Sequence, residues 1–119
     1  MKKWCFAACL ATALAACSSG GGILPEGAVE LPENRVSRFT GSDSRFYDMR
    51  TYVVPNDNVF YVTVAASGRQ LAFEEGKRNA GSTASAYIRQ RSCTGDFSRL
   101  SSRDVYDPES KVWTIVVRC

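Results

Sequence analysis

The stretch "FYDMRTYVVPNDNVFYVTVAAS", Phe46 to Ser67, decides the fold. Two runs rich in Val, Tyr, Phe and Thr flank Pro55-Asn56-Asp57-Asn58, and turn formers between β-prone runs signal a hairpin. In the second run Phe60, Val62 and Val64 share one face, while Val59, Tyr61 and Thr63 share the other. The first face is strongly apolar and the second amphipathic, so the pattern predicts a sheet covered mainly on one side.

Downstream lies "GRQLAFEEGKRNAGSTASAYIRQRSC". Phe73, Lys77, Ala80, Ala84, Tyr87, Ile88 and Arg91 recur at spacings of three and four, which predicts a helix with a narrow apolar stripe. Glu74 and Glu75 near its start and Arg89 and Arg91 near its end suit the helix dipole. Gly76 and Gly81 weaken it by up to about 1 kcal/mol each. They could split the helix, with Ser82 capping a second one. A rival reading makes Ser67-Gly68 a tight hairpin turn and Arg69 to Phe73 a third strand.

The chain ends in "RDVYDPESKVWTIVVRC". Asp107-Pro108-Glu109-Ser110 reads as a turn, and Val112 to Arg118 as a strand with Trp113, Ile115 and Val117 facing one way. The expected domain, residues 36–119, is therefore α+β in ββαββ order: a small antiparallel sheet, one helix packed on a face, and one disulfide. Before it, "SSGGGILPEGAVELPENR" has no sustained period and is rich in Ser, Gly and Pro, so residues 17–35 read as a flexible tether. As a coil it would reach roughly 20 to 25 Å. The competing reading packs the tail on the domain through Ile23, Leu24, Val29 and Leu31.

At the N-terminus Lys2 and Lys3 precede an apolar run, Phe6 to Ala16, too short to span a bilayer and ending in small residues. That is a secretory signal. Its end, Leu14-Ala15-Ala16-Cys17, resembles the lipobox of bacterial lipoproteins. The resemblance implies that residues 1–16 are removed and that the Cys17 thiol carries a diacylglycerol, anchoring the chain to membrane lipid. Ser18, a non-Asp residue after that cysteine, implies the outer membrane, with the domain facing the periplasm or the cell surface. An ordinary A-x-A site, Ala13-Leu14-Ala15, is the alternative and would release a soluble periplasmic protein.

Cysteine arithmetic bears on the choice. Cys5 and Cys9 leave with the signal, so Cys17, Cys93 and Cys119 remain, and export places them where an odd thiol is a liability. Lipidation of Cys17 leaves Cys93 and Cys119 to pair, Cys119 at the tip of the last strand reaching Cys93 just beyond the helix. The bridge would close a loop of about 25 residues, worth roughly 3.5 kcal/mol by chain entropy. Neither cysteine sits in a C-x-x-C arrangement that would make it reactive.

The chain contains no histidine, which excludes a His general base, Ser-His-Asp and Cys-His arrangements, and the usual His-containing zinc sites. Glu74 and Glu75 are adjacent on the proposed helix and point about 100° apart, unlike a glycosidase pair. Asp43, Asp48, Asp57, Asp104 and Asp107 lack the alternation and glycine of a calcium loop. No catalytic residue, metal ligand or cofactor site is expected. Without Lys2 and Lys3, thirteen basic residues face twelve acidic ones, a balance that gives no reason to expect a nucleic-acid partner. Eleven of the thirteen are Arg, and Arg78, Arg89 and Arg91 are candidate contacts for an anionic partner; an ordinary solvated face is the competing reading.

Two function classes remain. The first is a non-catalytic envelope module that binds a protein partner or helps an assembly, through sheet edges or an aromatic face including Tyr47, Tyr52, Tyr61, Tyr106 or Trp113. The second is a periplasmic inhibitor or ligand-binding lipoprotein associated with the cell wall. An exposed apolar patch or an unpaired edge would favour the first; a pocket where carboxylates or Arg converge would favour the second.

Overall fold

The computed structural model describes residues 21–91, 95 and 97–119, with the backbone alone for Arg91. The signal, Cys17, Cys93 and the Arg91 side chain therefore lie outside the described residues. Around the hairpin the described residues build one antiparallel sheet of seven strands and one α-helix. Strands β3 (Phe46–Val53) and β4 (Val59–Ala66) pair from Tyr47↔Ala66 to Val53↔Phe60. The turn between them closes through the Asp57 N–H on the Val54 carbonyl at 3.1 Å, with Asn56 at φ 71°. Asn is one of the few non-glycine residues that tolerate this left-handed conformation.

The last strand, β7 (Val112–Arg118), pairs with the other side of β4, which makes β4 central. Each outer side is then covered by two short strands. β1 (Val29–Glu30) and β2 (Val36–Thr40) share the free side of β3, while β5 (Ser98–Arg99) and β6 (Val105–Asp107) share the free side of β7. The order is thus four strands, the helix and three strands, not ββαββ. The three additional strands are two to five residues long. Segments so short carry no period of their own; the edge of a longer neighbour templates them.

Helix α1 (Phe73–Arg91) is unbroken. Ser82 lies in its interior, its hydroxyl donating to the Asn79 carbonyl at 3.2 Å, and Arg69 to Ala72 form a connection rather than a strand. Both helix glycines are used for contact. A Cβ on Gly76 would collide with the Trp113 ring, and one on Gly81 would stand 2.5 Å from the Arg99 guanidinium. The roughly 1 kcal/mol cost of each glycine is offset by the close approach it permits. Ala80, Ala84, Tyr87 and Ile88 of the helix stripe are fully buried against Met49, Val62, Val64, Ile115 and Val117. A fully buried side chain of this size contributes about 1.5–3 kcal/mol.

The second face of the sheet is covered as well. Tyr52, Val59, Tyr61 and Val116 form a smaller core there, against which Leu24, Ala28, Val54 and Leu100 pack. Residues 21–35, expected as a tether, are thus part of the fold. The Gly22 N–H donates to Ser110 Oγ at 3.1 Å, β1 pairs with β3, and the Leu31 N–H donates to the Thr51 carbonyl at 2.8 Å. Of the four apolar residues in the tail, Leu24 and Leu31 are half-buried while Ile23 and Val29 stay exposed. An apolar second face left open would cost more than ordering this short segment, which is why a glycine- and proline-rich stretch packs here.

Candidate functional site

The β2–β3 turn and the first half of α1 enclose a concave polar surface. The turn, Gly41 to Arg45, closes through the Gly41 N–H on the Arg45 carbonyl at 2.9 Å, with Ser44 at φ 67°. It sits tightly on the helix because residue 41 has no side chain: a Cβ there would lie 2.6 Å from the Tyr47 ring and 2.8 Å from Thr83 Oγ1. The seat brings Asp43 and Arg45 opposite Glu75, Arg78 and Asn79, and the five residues line a groove of about 330 Å³.

Its charges are held in a network. Asp43 accepts from the Tyr47 hydroxyl at 2.6 Å, from Asn79 Nδ2 at 3.3 Å and from the Arg45 N–H at 3.2 Å. Glu75, its side chain 16% exposed, is gripped by Arg69, whose two terminal nitrogens reach its two oxygens at 2.9 and 2.8 Å. Arg45 adds a 3.3 Å contact to the same carboxylate. Desolvation tends to raise the Asp43 carboxyl, but the bonds from Tyr47 and from backbone N–H groups, with the charge of Arg45, hold it below its ordinary range. The Arg69 bond outweighs desolvation at Glu75 and lowers it too. Burial and the adjoining Asp43 carboxylate push the Tyr47 hydroxyl up to about 12. Both acids are therefore anionic at neutral pH, and Tyr47 is a neutral donor.

Arg78 differs from its neighbours. It is exposed and lines the groove, yet makes no hydrogen bond or ion pair among the described residues. Of the three predicted contacts Arg78 lines this site, Arg89 does not, and the Arg91 side chain lies outside the described residues. Arg89 lies eleven residues further along α1, about 16 Å away at 1.5 Å per residue, with its guanidinium 4.3 Å from the centre of the Phe97 ring. Three further arginines, Arg69, Arg99 and Arg103, are engaged elsewhere and do not form one patch with Arg78. Arg69 is committed to Glu75, while Arg99 binds Asp104 at 2.6 Å and Arg103 donates to the Tyr61 hydroxyl at 2.7 Å.

The expected aromatic face is core. Tyr47, Tyr52, Tyr61 and Trp113 are buried and Tyr106 is half-buried. β-Prone aromatics are read as surface when only one face of a sheet is thought to be covered; here both are. Among the described residues the exposed large apolar side chains are Ile23, which precedes β1, Val29 on β1, Phe46 on β3 and Phe73 on α1. Sequence reasoning named Asp43 only to reject a calcium loop, and Glu75 as a helix-start charge and as half of a rejected glycosidase pair. Their convergence depends on Gly41, whose need to be side-chain-free has no signature in the sequence.

No family model matches the chain, and among curated proteins and solved structures no match was found either.

Proposed function

We propose that the chain is a lipid-anchored envelope lipoprotein whose domain is a non-catalytic binding module, and that the groove between the β2–β3 turn and α1 is its binding site. The observation that carries the reading is the convergence of Asp43, Glu75, Arg45 and the unpaired Arg78 on one concavity. Two carboxylates and two guanidiniums beside an Asn amide offer both donors and acceptors, which suits a ligand of mixed charge such as a cell-wall peptide. The split sheet edges weigh against a partner that adds a strand, since each edge offers only short runs of free backbone. The balance therefore moves from assembly through edges or aromatics towards ligand binding.

The anchor rests on Leu14-Ala15-Ala16-Cys17 and on Ser18, and the outer membrane is the proposed destination. Placement of Gly22 against Ser110 leaves only four residues between Cys17 and the folded domain, so the domain would stand close to the lipid surface. Cys93 and Cys119 are proposed to pair; Cys119 is itself disulfide-bonded, which supports this.

Binding of purified cell-wall peptides to the mature protein, with and without Arg78→Glu, tests the site. Charge reversal is expected to weaken binding at least about tenfold. If instead crosslinking in the intact envelope recovers one protein partner, equally well with Arg78→Glu, the domain is an assembly module and the groove is not its contact. Intact mass tests the anchor: a species starting at Ala16 without acyl mass refutes it. Alkylation of thiols only after reduction is expected for the Cys93–Cys119 bridge.

A further inference from the structure

The chain leaves the fold at a defined place. A Cβ on Gly21 would collide with Ser110, and the Gly22 N–H donates to Ser110 Oγ, which donates in turn to Asp107 Oδ2 at 2.8 Å. The exit is thus fixed on the turn between β6 and β7. Cys17 stands four residues before Gly21, so however that link runs it keeps Gly21 within about 15 Å of Cys17.

Beside the exit, Lys111 and Tyr106 line a cleft of about 370 Å³ together with Gln70, Leu71, Ala72 and Phe73 at the start of α1. Phe73 is 43% exposed, although its ring centre lies 5.5 Å from that of Tyr106 and 5.3 Å from that of Trp113. Lys77 Nζ is 5.9 Å from the centre of the same ring. Lys77 and Lys111 are the only lysines after residue 16. Neither ammonium makes an ion pair among the described residues, and nor do the carboxylates of the exposed Glu74 and Glu109. Next to the exit, then, one end of the domain carries a half-exposed aromatic ring, two flexible cations and two carboxylates.

We infer that this end docks on the lipid surface. Phe73 enters the headgroup layer, Lys77 and Lys111 take phosphates, and Glu74 and Glu109 take the ammonium groups of zwitterionic headgroups. The docking rests on the lipidation of Cys17 proposed for the chain. One half-exposed ring would not hold a free protein on a bilayer, but a four-residue link makes the contact intramolecular, at an effective concentration in the millimolar range. Lysine stems lie along apolar surface while their ammonium groups stay at the phosphates.

Trp113 is the only tryptophan after residue 16 and packs beside Phe73, so its fluorescence reads the contact. The mature lipoprotein is reconstituted in phosphatidylethanolamine vesicles that contain phosphatidylcholine, its acyl chains either plain or brominated near the headgroup. Brominated lipid is expected to quench the larger part of the Trp113 emission. Phe73→Ser and, separately, Lys77→Glu should each lose most of that quenching. Val29→Ser should keep it, since Val29 is exposed but pairs with Val53 at the opposite end of β3. Melting temperatures check the folding of each variant, and Lys77→Glu, at an exposed helix position that either residue suits, decides the matter should Phe73→Ser fail to fold. Three results with the acylated protein overturn the docking and leave the anchor standing: an unquenched Trp113, quenching retained in full by Phe73→Ser and Lys77→Glu, or quenching abolished by Val29→Ser. A mature protein without acyl mass overturns both.

Discussion

The two faces of the sheet are closed by different means. On one, a nineteen-residue helix delivers Ala80, Ala84, Tyr87 and Ile88 to a continuous core, with Gly76 and Gly81 letting its backbone come close. On the other, an extended segment that includes Leu24 and Ala28 covers a core of four residues. A helix is held by its own backbone hydrogen bonds as well as by packing, whereas the segment is held by packing and a few bonds such as Gly22 to Ser110. The helix face should therefore be rigid and intolerant of volume change, the segment face more forgiving.

Adjacent residues of β7 give the sharpest test. Ile115 points to the helix and Val116 to the segment, and both are almost wholly buried. Ile115→Ala is expected to cost about 2–5 kcal/mol, since rigid surroundings leave a cavity. Val116→Ala removes less, at about 0.8 kcal/mol per methylene equivalent, and the segment can settle into the gap, so about 1–2 kcal/mol is expected. Urea unfolding of the mature protein measures both. Equal losses after allowing for side-chain size would show that the segment is as rigid as the helix.

Glycine substitutions break the comparison from the opposite direction. Gly76→Ala gains about 1 kcal/mol of helix propensity. It also drives a methyl into the Trp113 ring, whose Nε1 is tied to the Phe73 carbonyl at 3.3 Å. Overpacking costs about 1–3 kcal/mol, so the net loss expected from thermal unfolding is about 2 kcal/mol at most. Gly27, in the segment, has φ 85° and no atom within 4 Å of a Cβ. Gly27→Ala should lose about 1 kcal/mol through backbone strain alone. A Gly76→Ala protein more stable than the wild type would mean that the helix can back away from the sheet.

Leu24→Ala probes the segment itself. Loss of a half-buried leucine should cost about 1 kcal/mol. Amide exchange should accelerate at Gly22 and Ala28, which bond to Ser110 Oγ and the Pro25 carbonyl, and stay unchanged in α1. Acceleration in α1 too would make the two faces one cooperative unit.

What the sequence reveals divides along the same line. The β3–β4 hairpin, α1 and β7 are long enough for period two or period three-to-four to emerge, and each was legible. The coverage of the second face was not, because Gly22, Pro25 and Gly27 look like linker and only the sheet beneath gives Leu24 a role. β1, β2 and β5 are defined by the strands they pair with, not by their own residues. Arg78 was legible as an exposed cation on a helix; Asp43 and Glu75 become its neighbours only through the Gly41 turn, a long-range event without local pattern.

The smallest effect expected is also the one that ties the groove to the helix face. Tyr47 is buried in that core, and its hydroxyl donates to Asp43 in the groove. Its folded pKa, raised from 10.0 to about 12, favours the protonated form, so this contribution to stability is intact below pH 10 and is lost as pH rises through about 12. Asp43 and Glu75 are lowered from 3.8 and 4.5, so their contributions are intact above those values and are lost as pH falls through the folded ones. Tyr47→Phe removes the alkaline loss of stability contributed by this residue and one of the bonds that hold Asp43 down. The acid limb of a melting-temperature profile should then lose the share that Asp43 contributes through this bond, and the alkaline limb should flatten. An alkaline limb unchanged in Tyr47→Phe would assign that titration to another group and uncouple the groove from the core beneath it.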